Sequence, residues 1–130
     1  MEFHVDGDEV ISIWEPKPQF AGWKNILHGG IQTTLMDEVA SWFVFTKLET
    51  GGVTYSLENR YKKPVPVDQG AIKLVARQKS LKRNLVDIEV ELFDASGRLC
   101  SVGSVKYFLF DKEKAKSQLN YPGLNEFFNR

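Results

Sequence analysis

The spacing of apolar positions changes twice along the chain, and each change marks a new element. Glu9 to Trp14 reads as a strand, stopped by Glu15-Pro16-Lys17-Pro18, because prolines have no N–H to give to a ladder. A loop follows from Phe20 to Leu27. Behind His28-Gly29-Gly30, the segment Ile31 to Leu48 has no proline or glycine and is dense in Leu35, Met36, Val39, Ala40, Trp42, Phe43, Val44 and Phe45. It predicts a helix of about five turns, closed by Gly51-Gly52. Its apolar residues surround almost the whole circumference, the pattern of a helix buried on most sides.

Beyond the glycines the period falls from 3.6 to 2. Val53, Tyr55, Leu57 and Tyr61 alternate with polar residues in a strand that stops at Pro64. Ile72, Leu74 and Ala76 begin a second strand, and Val86, Ile88, Val90 and Leu92 mark a third. Asp94-Ala95-Ser96-Gly97-Arg98 turns it into a fourth, Leu99 to Phe110. One long helix followed by four antiparallel strands predicts an α+β domain in which a curved antiparallel sheet wraps one central helix. Without repeats or linkers, residues 1–130 read as a single domain, with 112–130 as a packing arm that carries Leu119, Tyr121, Leu124, Phe127 and Phe128.

Composition narrows the function. A chain of 130 residues buries roughly 68% of its unfolded surface and needs no staples. One cysteine, Cys100, and two histidines, His4 and His28, are too few for a structural zinc site or a disulfide framework, so no metal is expected and a reducing, cytoplasmic setting fits. The acidic start MEFHVDGDEV has the form of neither a signal peptide nor a transit peptide, and the longest apolar run, Trp42 to Phe45, is far too short to cross a bilayer. No membrane partner is expected.

Seventeen basic and seventeen acidic residues cancel, which argues against a nucleic-acid partner. The charge is nonetheless uneven. Residues 1–59 carry −6, residues 60–83 carry +7 and residues 84–130 carry −1. A local basic stretch on a neutral protein suits a small anionic ligand, or a solvated, salt-bridged surface.

The chemistry concentrates on the helix. Asp37 and Glu38 lie between Met36 and Val39 and point about 100° apart, so one faces solvent or a cation while the other faces a cleft. A buried carboxylate needs a compensating partner or a function; a lysine or arginine from the basic strands would make either residue an ordinary structural acid. At the helix start, two glycines admit a ligand close to the backbone. The first-turn N–H groups there have no helical partner and can bind developing negative charge, although a Gly-Gly start also serves as a plain tight turn.

His28-Gly29-Gly30, then Asp37-Glu38, Thr54 and Tyr61-Lys62-Lys63-Pro64 together resemble the hotdog-fold acyl-CoA thioesterases, in particular the PaaI-like branch of the 4-hydroxybenzoyl-CoA thioesterase superfamily. The resemblance runs from about Phe20 to Phe110. It implies that Asp37 is the nucleophile or general base, that the Gly29 amide polarises the thioester carbonyl with Gly30 in support beside His28, and that Thr54 assists. Glu38 is structural in this scheme. Many relatives carry an Asn or Gln seven residues before the first glycine; here that position is Gly22, with Asn25 or Gln19 as stand-ins for substrate contact.

Eight residues of helix separate Gly29 from Asp37 by about 12 Å, too far for one copy to supply both to a single carbonyl. Spacing thus requires a site shared between two subunits, and the resemblance implies obligate homodimers, often paired as homotetramers. The expected substrate is a small or medium acyl-CoA, aromatic groups included, with Lys79, Lys82 and Arg83 near its phosphates and Arg60, Lys62 and Lys63 on the neighbouring strand. Coenzyme A enters as part of the substrate, and no separate cofactor is expected, since GxGxxG and GxxxxGK are absent.

Trp23, Trp42, Phe43, Phe45 and Tyr55 either line an acyl pocket or belong to the core. Three other functions compete with hydrolysis. A non-catalytic acyl-CoA binding module would have no need of Asp37. A dehydratase of the same fold would need a helix histidine that is missing after Gly30, and a purely structural dimer module has only composition in its favour.

Overall fold

The computed structural model describes residues 2–110, so the predicted arm at 112–130 lies outside the described residues. The chain forms β1 (Glu2–Asp6), β2 (Glu9–Trp14), α1 (Gly29–Lys47), β3 (Gly52–Tyr61), β4 (Ile72–Lys82), β5 (Leu85–Phe93) and β6 (Leu99–Leu109). The six strands make one antiparallel sheet in the order β1-β2-β4-β5-β6-β3, which leaves β1 and β3 as its edges.

Every strand predicted from alternation is present, and one more precedes them. β1 pairs with β2 through the two-residue turn Gly7-Asp8, where Gly7 takes φ +60°. Phe3 of this strand stacks on Trp42 of the helix, with ring centroids 4.6 Å apart.

The core lies between the inner sheet face and one side of α1. Val86, Ile88, Val90 and Leu92 point inward on β5, as do Ile72, Leu74 and Ala76 on β4. From the helix come Leu35, Met36, Val39, Ala40, Phe43 and Val44. Gly103 on β6 sets the closeness of this contact, because a Cβ there would fall 2.6 Å from Met36 Sδ. The helix is therefore buried on one side, a correction to the reading from its apolar circumference. Thr34 and Glu38 are exposed, and Ile31, Trp42 and Phe45 are half-buried, Trp42 beneath Phe3 of β1. Among the described residues no helix is long and apolar enough to cross a membrane.

Candidate active site

The first turn of α1 is fixed by its own sequence. His28 occupies the N-cap, and its Nδ1 accepts a hydrogen bond from the Gly30 N–H at 2.9 Å. Its carbonyl accepts from Ile31 N and Gln32 N, both at 3.1 Å, while its own N–H reaches the Phe20 carbonyl at 3.0 Å. Leu27 N donates to Val65 O at 2.7 Å, which ties the preceding loop to the segment after β3. The Gly29 N–H is left without a partner among the described residues. Tyr61, at the end of β3, lies over this turn: its hydroxyl donates to the Gly29 carbonyl at 2.8 Å and sits 2.9 Å from Thr33 Oγ1.

Two turns along the helix, the adjacent acids separate as their 100° offset requires. Glu38 is exposed, and Asp37 is half-buried against the sheet. Thr54 of β3 donates to Asp37 Oδ1 at 3.0 Å, and the Tyr107 hydroxyl of β6 approaches the same oxygen at 2.6 Å and the Asp37 carbonyl at 2.9 Å. Burial first, then the hydrogen bond to Asp37, push the Tyr107 phenol above its ordinary value, so it stays a donor. No lysine or arginine among the described residues pairs with Asp37. The carboxylate is held by two hydroxyls that both engage Oδ1 and leave Oδ2 without a protein partner among the described residues.

Within one chain the two halves stay apart. Asp37, Thr54 and Tyr107 border a cavity of about 220 Å³ with Val44, Phe45 and Gly52. Gly29, Gly30 and Tyr61 border another of about 380 Å³ with Gln32 and Lys62, and the two share no lining residue. A third groove of about 320 Å³, on the outer sheet face, collects Arg60, Lys62 and Lys79 beside Glu58, Glu89 and Ser104. Lys62 borders both this groove and the one at Gly29, so it links them around the β3 edge.

Other expected residues lie elsewhere. Lys82 and Arg83 sit at the β4–β5 turn, and neither borders these grooves. Asn25 is exposed and enters the structure through its carbonyl, which accepts from Val67 N at 3.0 Å; Gln19 is exposed on the turn Pro18–Phe20. At Gly22 a Cβ would meet His28 Cδ2 at 3.0 Å, so the capping imidazole covers the place where relatives carry an amide side chain. Of the five aromatics considered for the acyl pocket, Phe45 alone borders the Asp37 cavity. Phe43 is core, Trp42 stacks on Phe3, Tyr55 packs edge-on against Phe108 and Trp23 is 77% exposed.

Two residues were not anticipated for these roles. Tyr107 occupies an inward position of β6 and is only 4% exposed; a phenol buried that deeply must find a partner for its hydroxyl, a requirement readable from the β6 alternation. Tyr61 belongs to the Tyr61-Lys62-Lys63-Pro64 tetrapeptide, but its contact with Gly29 joins residues 32 apart in sequence, which spacing alone does not reveal.

A sequence profile of the thioesterase superfamily matches residues 24–101, which include His28 to Asp37, Thr54 and Tyr61. The chain is 36% identical over 59 residues, 45% of its length, to an uncharacterized protein of Schizosaccharomyces pombe, and that match spans 34% of the yeast protein. Its fold is similar to the crystal structure of AziG from S. sahachiroi, at a TM-score of 0.75 and 26% identity over 83% of this chain and 90% of that one. It is also similar to a hypothetical thioesterase with coenzyme A from Streptococcus pneumoniae TIGR4, at 0.78 and 19% identity over 85% and 89% of the two chains. A third likeness is to smu.793 from Streptococcus mutans UA159 bound to acetyl CoA, at 0.76 and 17% identity over 86% and 91%. The helix against its six-stranded curved antiparallel sheet is the hotdog fold, and with the profile matching more than half of its length the chain belongs to the thioesterase superfamily.

Proposed function

We propose that this protein is an acyl-CoA thioesterase that hydrolyses the thioesters of small or medium acyl groups, aromatic ones included. The observation that carries the proposal is Asp37. A half-buried carboxylate with no cation beside it among the described residues, bonded by Thr54 and Tyr107 on Oδ1 alone, is poorly explained as a structural acid. As a base it needs no metal. Oδ2 takes a proton from water, the water oxygen adds to the thioester carbon, and the oxygen that becomes negative is received by the Gly29 N–H at the positive end of the helix. Collapse expels the coenzyme A thiolate, which leaves without strong protonation, and releases the carboxylic acid; the proton held on Oδ2 then passes to the thiolate or to solvent and restores the Asp37 carboxylate. Direct attack by Oδ2 would use the same groups and pass through an anhydride that water then opens.

The site is completed by a second copy. Gly29 and Asp37 border different cavities in one chain, as their spacing requires, and β3 is a free edge of ten residues on which Val53, Tyr55 and Tyr61 are exposed. An edge this long is a ready surface for another strand. A homodimer would bring Gly29 of one subunit toward Asp37 and Thr54 of the other, and two such dimers would form a tetramer. Lys79, with Arg60 and Lys62, is the cation group suited to the coenzyme A phosphates, since Lys62 joins that groove to the one at Gly29. The named coenzyme A and acetyl CoA complexes of the two streptococcal proteins support this substrate class. A cytoplasmic setting supplies such substrates and suits the unpaired Cys100.

Release of free thiol from a panel of acyl-CoAs tests the proposal, run with the natural chain and with Asp37→Asn. Turnover that disappears in the variant supports it. Binding of acyl-CoA without turnover in the natural chain would instead make the protein a non-catalytic acyl-CoA module.

A further inference from the structure

Tyr61 belongs to no catalytic step described above, and yet its hydroxyl is bonded to the backbone of the residue proposed to receive the oxyanion. Its position follows from the strand: Tyr61 ends β3, pairs with Ser101 of β6 and faces the helix, and the residue is 53% exposed. The contact depends on glycine. A Cβ at Gly29 would lie 3.2 Å from both Cζ and Oη of the tyrosine, so any side chain there pushes the ring out by a few tenths of an ångström.

Proton bookkeeping orders the contacts. A carbonyl only accepts, so the single Tyr61 proton goes to Gly29 O, at 2.8 Å. Thr33 must then be the donor across the 2.9 Å to Tyr61 Oη. The peptide between Gly29 and Gly30 is thus gripped at both ends, by Tyr61 on its carbonyl and by His28 Nδ1 on its N–H. The preceding peptide, which carries the Gly29 N–H, is gripped at its carbonyl by Ile31 N and Gln32 N. With the Gly30 N–H consumed by the cap, Gly29 is the one amide of the pair free to face a ligand.

We infer that Tyr61 is a positioning residue: through the Thr33 to Tyr61 to Gly29 O relay it fixes the 29–30 peptide plane, and with the 28–29 plane held by Ile31 N and Gln32 N this locks the torsions at Gly29 about which its N–H could turn. This inference rests on the thioesterase reading for its kinetic consequence but not for its geometric one. Misplacing a catalytic group by a fraction of an ångström to one ångström costs on the order of ten- to a hundred-fold in rate, so loss of the hydroxyl should act on turnover and spare affinity.

Tyr61→Phe keeps the ring against Gly29 and removes only the donor. The expected result is kcat lowered about tenfold, KM for acyl-CoA within about twofold and an unchanged melting temperature. Thr33→Val should lower kcat less, and the double variant should be no slower than Tyr61→Phe, because Thr33 acts through the tyrosine. Amide hydrogen exchange gives a reading independent of turnover: the Gly30 N–H should exchange several-fold faster in Tyr61→Phe. Wild-type kcat in Tyr61→Phe, or losses that simply multiply in the double variant, would overturn the relay. A natural chain that hydrolyses no acyl-CoA would refute the thioesterase reading instead, and Gly30 exchange alone would then decide: faster exchange upholds the grip on the peptide, unchanged exchange overturns it.

Discussion

The Tyr107 hydroxyl lies 2.6 Å from Asp37 Oδ1, on the side of the carboxylate that Thr54 also occupies. Two donors on one oxygen fix the plane of the group and leave the other oxygen to react. Asp37→Asn should lower kcat by roughly three orders of magnitude with little change in KM, since the loss falls on a group that works in the transition state. Tyr107→Phe and Thr54→Ala, which remove only orientation, should cost about tenfold each. Steady-state kinetics on one acyl-CoA compares the three. A wild-type turnover in Asp37→Asn would end the mechanism.

Separation of Gly29 from Asp37 is tested by subunit mixing. Asp37→Asn and a variant with a bulky residue at Gly29 should each be inactive as homodimers. A mixed dimer holds one site with both defects and one with neither, so activity should return toward one working site per mixed dimer. Hydrolysis is measured after exchange is demonstrated by mass. Sites built within single chains would recover nothing.

The cation group makes a distinction among basic residues. Neutralising Lys79 and Lys62 should raise KM for acyl-CoA several-fold at low salt, with kcat and the KM for a truncated acyl-pantetheine unaffected. Neutralising Lys82 and Arg83, which lie off the groove at the β4–β5 turn, should leave both constants in place. A reversed result would put the nucleotide at the turn.

Asp94 provides a pH signature away from the site. Its carboxylate accepts from Ser96 Oγ at 2.6 Å, from Ser96 N and Arg98 N at 3.0 Å and from Arg98 Nε at 3.1 Å. The Ser96 hydroxyl chiefly, helped by those amides and the Arg98 charge, lowers its pKa from 3.8 to about 2 against the opposing effect of burial. A depressed acid stabilises the fold above its unfolded value, so the contribution is complete above about pH 4 and is lost as pH falls toward 2. It amounts to roughly 2 kcal/mol. Denaturation of Asp94→Asn should be less stable at pH 7 and show a shallower loss over that interval than the natural chain.

The sequence made the fold legible wherever one face is buried. Alternation through Val86, Ile88, Val90 and Leu92 located β5, and the unbroken run after Gly30 located α1. β1 escaped because five residues with only Phe3 and Val5 apolar carry too little period, and its pairing depends on β2. The apolar girth of α1 predicts burial on most sides, because composition does not distinguish a side facing the sheet from flanks left open in one chain. The Asp37, Thr54 and Gly29 roles came from motif spacing. The Tyr107 and Tyr61 contacts bridge residues 70 and 32 positions apart, and only the strand register brings them together. Charge counting groups Lys82 and Arg83 with Lys79; Lys79 borders the outer-face groove, and the other two sit at the β4–β5 turn.

On the outer sheet face, Arg77 of β4 reaches Glu9 on β2 at 2.7 Å and, on β5, Glu91 at 2.7 Å and Glu89 at 3.7 Å. Half-exposed ion pairs of this kind add little to stability. They add information that the core lacks. Alternation forbids a strand from slipping by one residue, which would turn its apolar set outward, but tolerates a slip by two, which restores every face. Arg77 stands directly opposite Glu9, so a two-residue slip of β4 against β2 carries the guanidinium from this acid to Gly7 or Ile11. The arginine acts as a register check between β2 and β4, disfavouring a misalignment that hydrophobic burial cannot tell from the right one.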